Sequence, residues 1–237
     1  GQAAAKAVLN VVTGKVNPSG KLAESYPNKY DDCASSSCFP GKETTAEYKE
    51  GIFVGYRYYD TAVINVRYPF GYGLSYTTFK YSDLETDEQG VKFKITNIGL
   101  CDGAEVAQLY IGLEKSNIFR PLKELKGFCK VFLKAGETKS LEIAFDDKTF
   151  RYYNVAKKQW AIEEGDYTIY IGASSRDIRL KDKIHIIGSQ ADNVYDKALL
   201  RSYYECDVKK VAQQDLNSFW DIRFPSLILS FIKRTGL

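Results

Sequence analysis

The chain has 237 residues, 44% of them apolar and 27% charged, which is enough apolar material to bury a real core. Its 33 basic and 30 acidic residues leave a formal net charge of +3 and are interspersed, so the composition implies no polyanion-binding surface, pairs such as Lys157-Lys158 and Lys209-Lys210 read as solvated faces, and no nucleic-acid partner is expected. The longest apolar run, Leu227 to Ile232, is broken by Ser230 and falls far short of the roughly 20 residues a membrane helix needs, so no membrane partner is expected. The chain starts at Gly1 and contains no Met, from which a piece or processed product of a longer protein is expected.

In chain order, Gln2 to Val12 predicts a short Ala-rich helix with Val8, Leu9 and Val12 on one stripe and Gly14 as its left-handed stop. Asn17-Pro18-Ser19-Gly20 predicts a turn into an extended Lys21–Ser25, the ending of an α/β unit. Residues 26–49, polar and punctuated by Pro27, Pro40 and Gly41, read as a long surface loop. Two aromatic clusters follow, Tyr48 to Asp60, read as a glycine-bounded strand segment, and Tyr68 to Tyr76.

From about Thr77 the apolar period becomes two. Val91, Phe93 and Ile95 alternate with Lys92, Lys94 and Thr96, and Ala107, Leu109 and Ile111 repeat the pattern. Val131 with Leu133, Leu141 with Ile143 and Phe145, and Tyr167 with Ile169 and Ile171 complete it, with turn signals at 97–99, 135–137, 146–147 and 164–166. About seven short strands at this spacing predict an antiparallel β-sandwich of some 110 residues. After Gly188 a helical tail is expected, with Asp207 as N-cap, Val208, Val211, Ala212 and Phe219 on one face, and a last short helix from Pro225 to Arg234. The tail reads either as an appendage packed on the sandwich or as a segment awaiting a partner.

Several strings then resemble one family in the right order. Gly1-Gln2 through Val16-Asn17-Pro18-Ser19-Gly20-Lys21-Leu22 is similar to the end of the α/β sandwich domain of family 3 glycoside hydrolases. Residues Glu50 to Asp60 and Tyr68 to Phe79 resemble that family's C-terminal strings, and Arg120–Phe128 and Ile171–Ile178 resemble runs of its fibronectin type III-like domain. Ala4 and Ala5 depart from a common Gly, and Ala23 from a common Pro. The resemblance covers residues 1 to about 187 and, with the tail pattern, gives a mainly β chain in three parts: residues 1–76 as the remnant of the α/β sandwich domain with its aromatic loop, 77–188 as a fibronectin type III-like or immunoglobulin-like sandwich, and 189–237 as a helical tail that carries no motif of the family. It also implies a retaining, β-glucosidase-like parent with two carboxylates about 5 Å apart. In the family the nucleophilic Asp lies in a separate barrel domain and the acid/base Glu upstream of the residues present here, so no catalytic residue is assigned and the chain alone is expected to be inert. A second reading makes the chain a stand-alone carbohydrate-binding or scaffold module.

Among individual residues, Glu47, Glu50 and Asp60 read as solvated loop carboxylates, and the pairs Asp146-Asp147 and Glu163-Glu164 as hairpin-turn residues. The aromatics of 48–59 read first as interdomain core and second as a sugar-facing wall, which nominates Tyr48, Tyr56 and Arg57 as substrate contacts; Arg57 is expected to hold a carboxylate across the interface. His185, the only histidine, reads as an outward strand residue without a partner for metal or nucleophile, and Trp160 as a sandwich core residue. The five cysteines lack a metal spacing, so neither metal nor cofactor is expected. Cys33 and Cys38 are able to bridge in an oxidising compartment, Cys101 and Cys129 read as strand fillers, and a reducing cytoplasm is the expected setting. The partners expected are a β-glucoside or oligosaccharide held by domains not in this chain, and the rest of the parent enzyme.

Overall fold

The computed structural model describes residues 2–41, 48–190 and 197–212. Its centre is the expected sandwich. Strands β3 (Phe79–Thr86), β4 (Gly90–Asn97) and β7 (Thr138–Ala144) form one sheet in the order β3-β4-β7. Strands β5 (Gly103–Leu113), β6 (Glu124–Leu133), β10 (Gly165–Gly172) and β11 (Ile178–Ile186) form the other, in the order β11-β10-β5-β6. All pairings within the two sheets are antiparallel. β11 lies beside β3 and β6 beside β7, so the two sheets meet at both edges.

The alternating residues read from the sequence are the ones that meet between the sheets. Val91, Ile95, Leu133, Ile169 and Ile171 are completely enclosed, with Phe93, Leu109 and Tyr167 among them. Their burial is the main source of the sandwich's stability, since each such side chain removes apolar surface from water on folding. Asn97 satisfies the turn after β4: its carbonyl accepts from Thr77 Oγ1 and Gly99 N, and its amide donates to the carbonyls of Cys101 and Leu133.

Around this core sit elements the sequence reading placed less well. Helix α1 (Ala4–Val12) forms as expected and stops at Gly14 with φ +73°, but Val8, Leu9 and Val12 are exposed. Strand β1 (Tyr26–Pro27) pairs with β2 (Val66–Tyr68), crossing the loop that joins them. The stretch read as a glycine-bounded strand is instead an irregular run ending in helix α2 (Tyr56–Thr61). Gly55, at φ +59°, turns the chain so that its carbonyl accepts from the amides of both Tyr58 and Tyr59. Tertiary context here overrides the strand preference of a tyrosine-rich run. An unforeseen hairpin, β8 (Arg151–Asn154) with β9 (Gln159–Ile162), projects between β7 and β10.

In the tail, helix α3 (Arg201–Tyr204) and a 3-10 turn (Val208–Lys210) with Asp207 at its N-cap position pack on the aromatic segment and its neighbours, not on the sandwich strands. Glu47, Phe219, Trp220 and the expected helix from Pro225 lie outside the described residues.

Candidate functional site: the joint between the aromatic segment and the sandwich

β5 is buried on both faces. Ala107, Leu109 and Ile111 fill the sandwich core, while Gln108 and Tyr110 point outward and are covered by α2 and the 68–76 loop. Tyr56 lies against Phe70 at 4.7 Å and meets Tyr110 edge-on at 5.8 Å, and its hydroxyl accepts from Leu125 N at 2.8 Å. Such ring pairs add about 0.5–1.5 kcal/mol beyond area burial.

The enclosed polar groups beneath these rings are fully matched. Tyr110 donates to Gln108 Oε1 at 2.6 Å, and Gln108 Nε2 donates to the carbonyls of Gly71 at 3.2 Å and Ala173 at 2.9 Å. Burial raises the Tyr110 hydroxyl far above its ordinary pKa, keeping it a donor. Gly71 is required here twice over: its φ is +80°, and a Cβ would fall 2.0 Å from Gln108 Oε1.

An ionic centre lies beside this patch. Asp60, at the end of α2, takes Arg176 Nε on Oδ1 at 2.7 Å, and Lys123 Nζ sits 3.1 Å from Oδ2 as an electrostatic contact outside hydrogen-bond geometry. Arg176 also donates to the carbonyls of Tyr59 and Ile64, tying down the C-terminal end of α2. Arg57 meets Glu124 at 3.2 Å, which gives it a carboxylate across the interface. The cations come from the two runs 120–128 and 171–178, which therefore form part of the docking surface.

A second connection holds the end of α1. Asn17 Oδ1 accepts from Ser75 Oγ and Tyr76 N, while its amide donates to the Asp102 carbonyl. The Tyr76 hydroxyl donates to Val11 O, and Lys21 Nζ meets Glu105 at 2.7 Å with both side chains largely enclosed.

The three nominated sugar contacts do not converge. Tyr48 is 77% exposed, Tyr56 is wedged between rings, and Arg57 is engaged by Glu124. Tyr58, which a flat row of sugar-facing rings needs, is buried, and its hydroxyl is raised to about 12 mainly by desolvation.

The carboxylates are equally committed. Asp60 is buried and not a solvated loop residue. Glu163 was expected in an exposed turn, yet it is enclosed, accepting from Ser116 Oγ and Asn117 N and pairing with Arg120 at 3.1 Å. The reason is that the chain between β9 and β10 stays extended and turns the carboxyl under the 116–120 loop. Asp146 accepts from Thr149 Oγ1 and Lys148 N, which lowers its pKa. Trp160 is 57% exposed, contrary to its expected core position, because β9 stands outside the sandwich; its ring packs on Arg151 at 4.4 Å and Tyr153 at 5.6 Å. His185 faces outward and pairs across the strands with Asp166 at 2.7 Å. Cys101 is exposed in the turn before β5, donating to Tyr76 O, and so is no strand filler. Among the described residues no cluster of three His, Cys, Asp or Glu side chains is placed to hold a metal.

The buried ions and hydrogen bonds of the joint serve to hold, and the fold defines the class: a fibronectin type III-like sandwich with the preceding segment locked to it. Comparison with known proteins agrees. The glycosyl hydrolase family 3 C-terminal domain matches residues 1–76, and the fibronectin type III-like domain matches residues 105–175. The thermostable beta-glucosidase B of Acetivibrio thermocellus is 48% identical over 194 residues, covering 78% of this chain and 26% of the relative. The exo-α-(1→6)-L-arabinopyranosidase of Bifidobacterium breve is 45% identical over 183 residues, covering 75% and 24%. The crystal structure of the Bifidobacterium adolescentis GH3 beta-glucosidase superposes with a TM-score of 0.76 at 38% identity, covering 88% of this chain and 32% of that one. The chain belongs to family 3 of the glycoside hydrolases, spanning its C-terminal domain and the fibronectin type III-like domain. It spans about a quarter of the length of the curated relatives it matches.

Proposed function

We propose that this chain is the structural C-terminal part of an enzyme that hydrolyses glycosides with retention, releasing β-linked glucose or a related sugar, and that it contributes support and no reacting group. Its parts divide at 76 and 188 into the end of the α/β domain, the brace and the tail. The observation that carries the reading is the Asp60 centre: the buried carboxylate of the family's most recognisable string is neutralised by two cations of the sandwich. A carboxylate so held is a bolt. The reacting carboxylates are supplied by other parts of the parent, and the brace holds the α/β domain's loops in register, as a site needs placement within about 0.5 Å to work. Of the nominated contacts, Tyr48 is the one with an exposed ring, and we assign it any sugar contact this region makes.

The test uses an intact parent enzyme carrying this region. Asp60→Asn is expected to lower the temperature of inactivation while leaving the pH–rate profile unmoved. A displaced acidic or basic limb of that profile would assign Asp60 a chemical role and reject the proposal.

A further inference from the structure

Residues 197–212 lie outside the stretches that the two family domains match, and they build a core of their own. Leu200, Tyr203, Cys206, Val208 and Val211 are all at most 4% exposed, packed with Phe53, Tyr58 and Tyr59. This cluster shares no residue with the sandwich core.

It gathers three stretches far apart in the chain. The ring of Phe119, on the β5–β6 connection, lies 5.6 Å from that of Tyr203 and 5.5 Å from that of Tyr204, and the Tyr204 hydroxyl reaches the Asn117 carbonyl at 3.4 Å. On the opposite side Lys209 Nζ donates to the Asp31 carbonyl, and the turn Val208–Lys210 lies beside the turn Ala34–Ser37. α2 and Phe53 fill the middle.

We propose that residues 197–212 are a clasp that holds the 30–38 loop and α2 against the 117–119 connection, and that its release frees that loop while the sandwich stays closed. Elements of four and three residues have no helical stability of their own, so the clasp persists through side-chain burial and its few hydrogen bonds to Asp31 and Asn117. Units held by few apolar contacts open at lower free energy than a strand core. Cys206 has φ +55°, a left-handed conformation that a non-glycine residue keeps when its surroundings impose it. The inference rests on this packing and stands apart from the enzymatic reading.

Four thiols report on it in the full chain: Cys206 in the clasp, Cys33 and Cys38 in the loop, and Cys129 in β6. Iodoacetamide labelling followed by mass spectrometry is to be compared between the native chain and Tyr203→Ala, with Val211→Ala as a milder variant should the first fail to fold. The expected result is labelling of Cys206, Cys33 and Cys38 at least ten-fold faster for Tyr203→Ala, or three-fold for Val211→Ala, with Cys129 unchanged. Faster Cys206 with unchanged Cys33 and Cys38 would overturn the proposal, as would acceleration of Cys129 in step with the others or no change at Cys206.

Discussion

Asp60 occupies a place where a sequence invites a solvated or reacting carboxylate, and its surroundings decide otherwise. Its side chain is 4% exposed and that of Lys123 8%, so removing the charge leaves a buried ammonium with no other carboxylate paired to it among the described residues. Asp60→Asn is therefore expected to destabilise the chain by about 3–5 kcal/mol in urea unfolding, with the loss shared non-additively with Arg176→Met. The thiols carry a second prediction at this scale. Burial raises Cys206 from 9.0 to about 12 and Cys129 from 9.0 to about 11. The folded state therefore retains protons that the unfolded chain gives up above pH 9, so stability is intact below that pH and falls as pH climbs towards 12. Denaturant midpoints between pH 8 and 11 should show the fall, and Cys206→Ala should flatten it; a rising midpoint would refute the assignment. Exposed Cys101 should be alkylated before either.

Among the elements, what could be read in advance was what repeats. Val91-x-Phe93-x-Ile95 declares a strand because one face is wet and the other dry, and Tyr167-x-Ile169-x-Ile171 shows the same period of two although Thr168 between them is also buried. α2 escaped notice because six residues give no helical period and tyrosines favour strands, so its only local signal was Gly55. The β8–β9 hairpin was missed because its sequence lacks alternation, and Trp160, read as a position in the sandwich core, stands on that hairpin instead. The correction is measurable. Phe93→Ala should cost about 3–5 kcal/mol of folding stability, as for deep aromatic truncations. Trp160→Ala should cost about 1 kcal/mol or less, the scale of an exposed cation–π contact. Equal losses in chemical unfolding would return Trp160 to the core.

Across the molecule, composition and motif order indicated a sandwich with a piece of a neighbour attached, while the joint itself was illegible. Asp60 with Lys123 and Arg176, Gln108 with Gly71, and Asn17 with Tyr76 are separated by 37 to 116 positions, and nothing local in the sequence pairs them. Arg57 was the exception, since a guanidinium in an aromatic run already asks for a carboxylate, and Glu124 supplies it. The exposed Val8, Leu9 and Val12 of α1 leave an apolar stripe at the end opposite in sequence to the clasp. In the proposed role the chain holds geometry for chemistry performed elsewhere. The most direct test is turnover by the purified 237-residue chain on chromogenic β-glucoside and α-L-arabinopyranoside. The account predicts no release above a heat-inactivated control on either substrate, and sustained, heat-labile release on either one would contradict it.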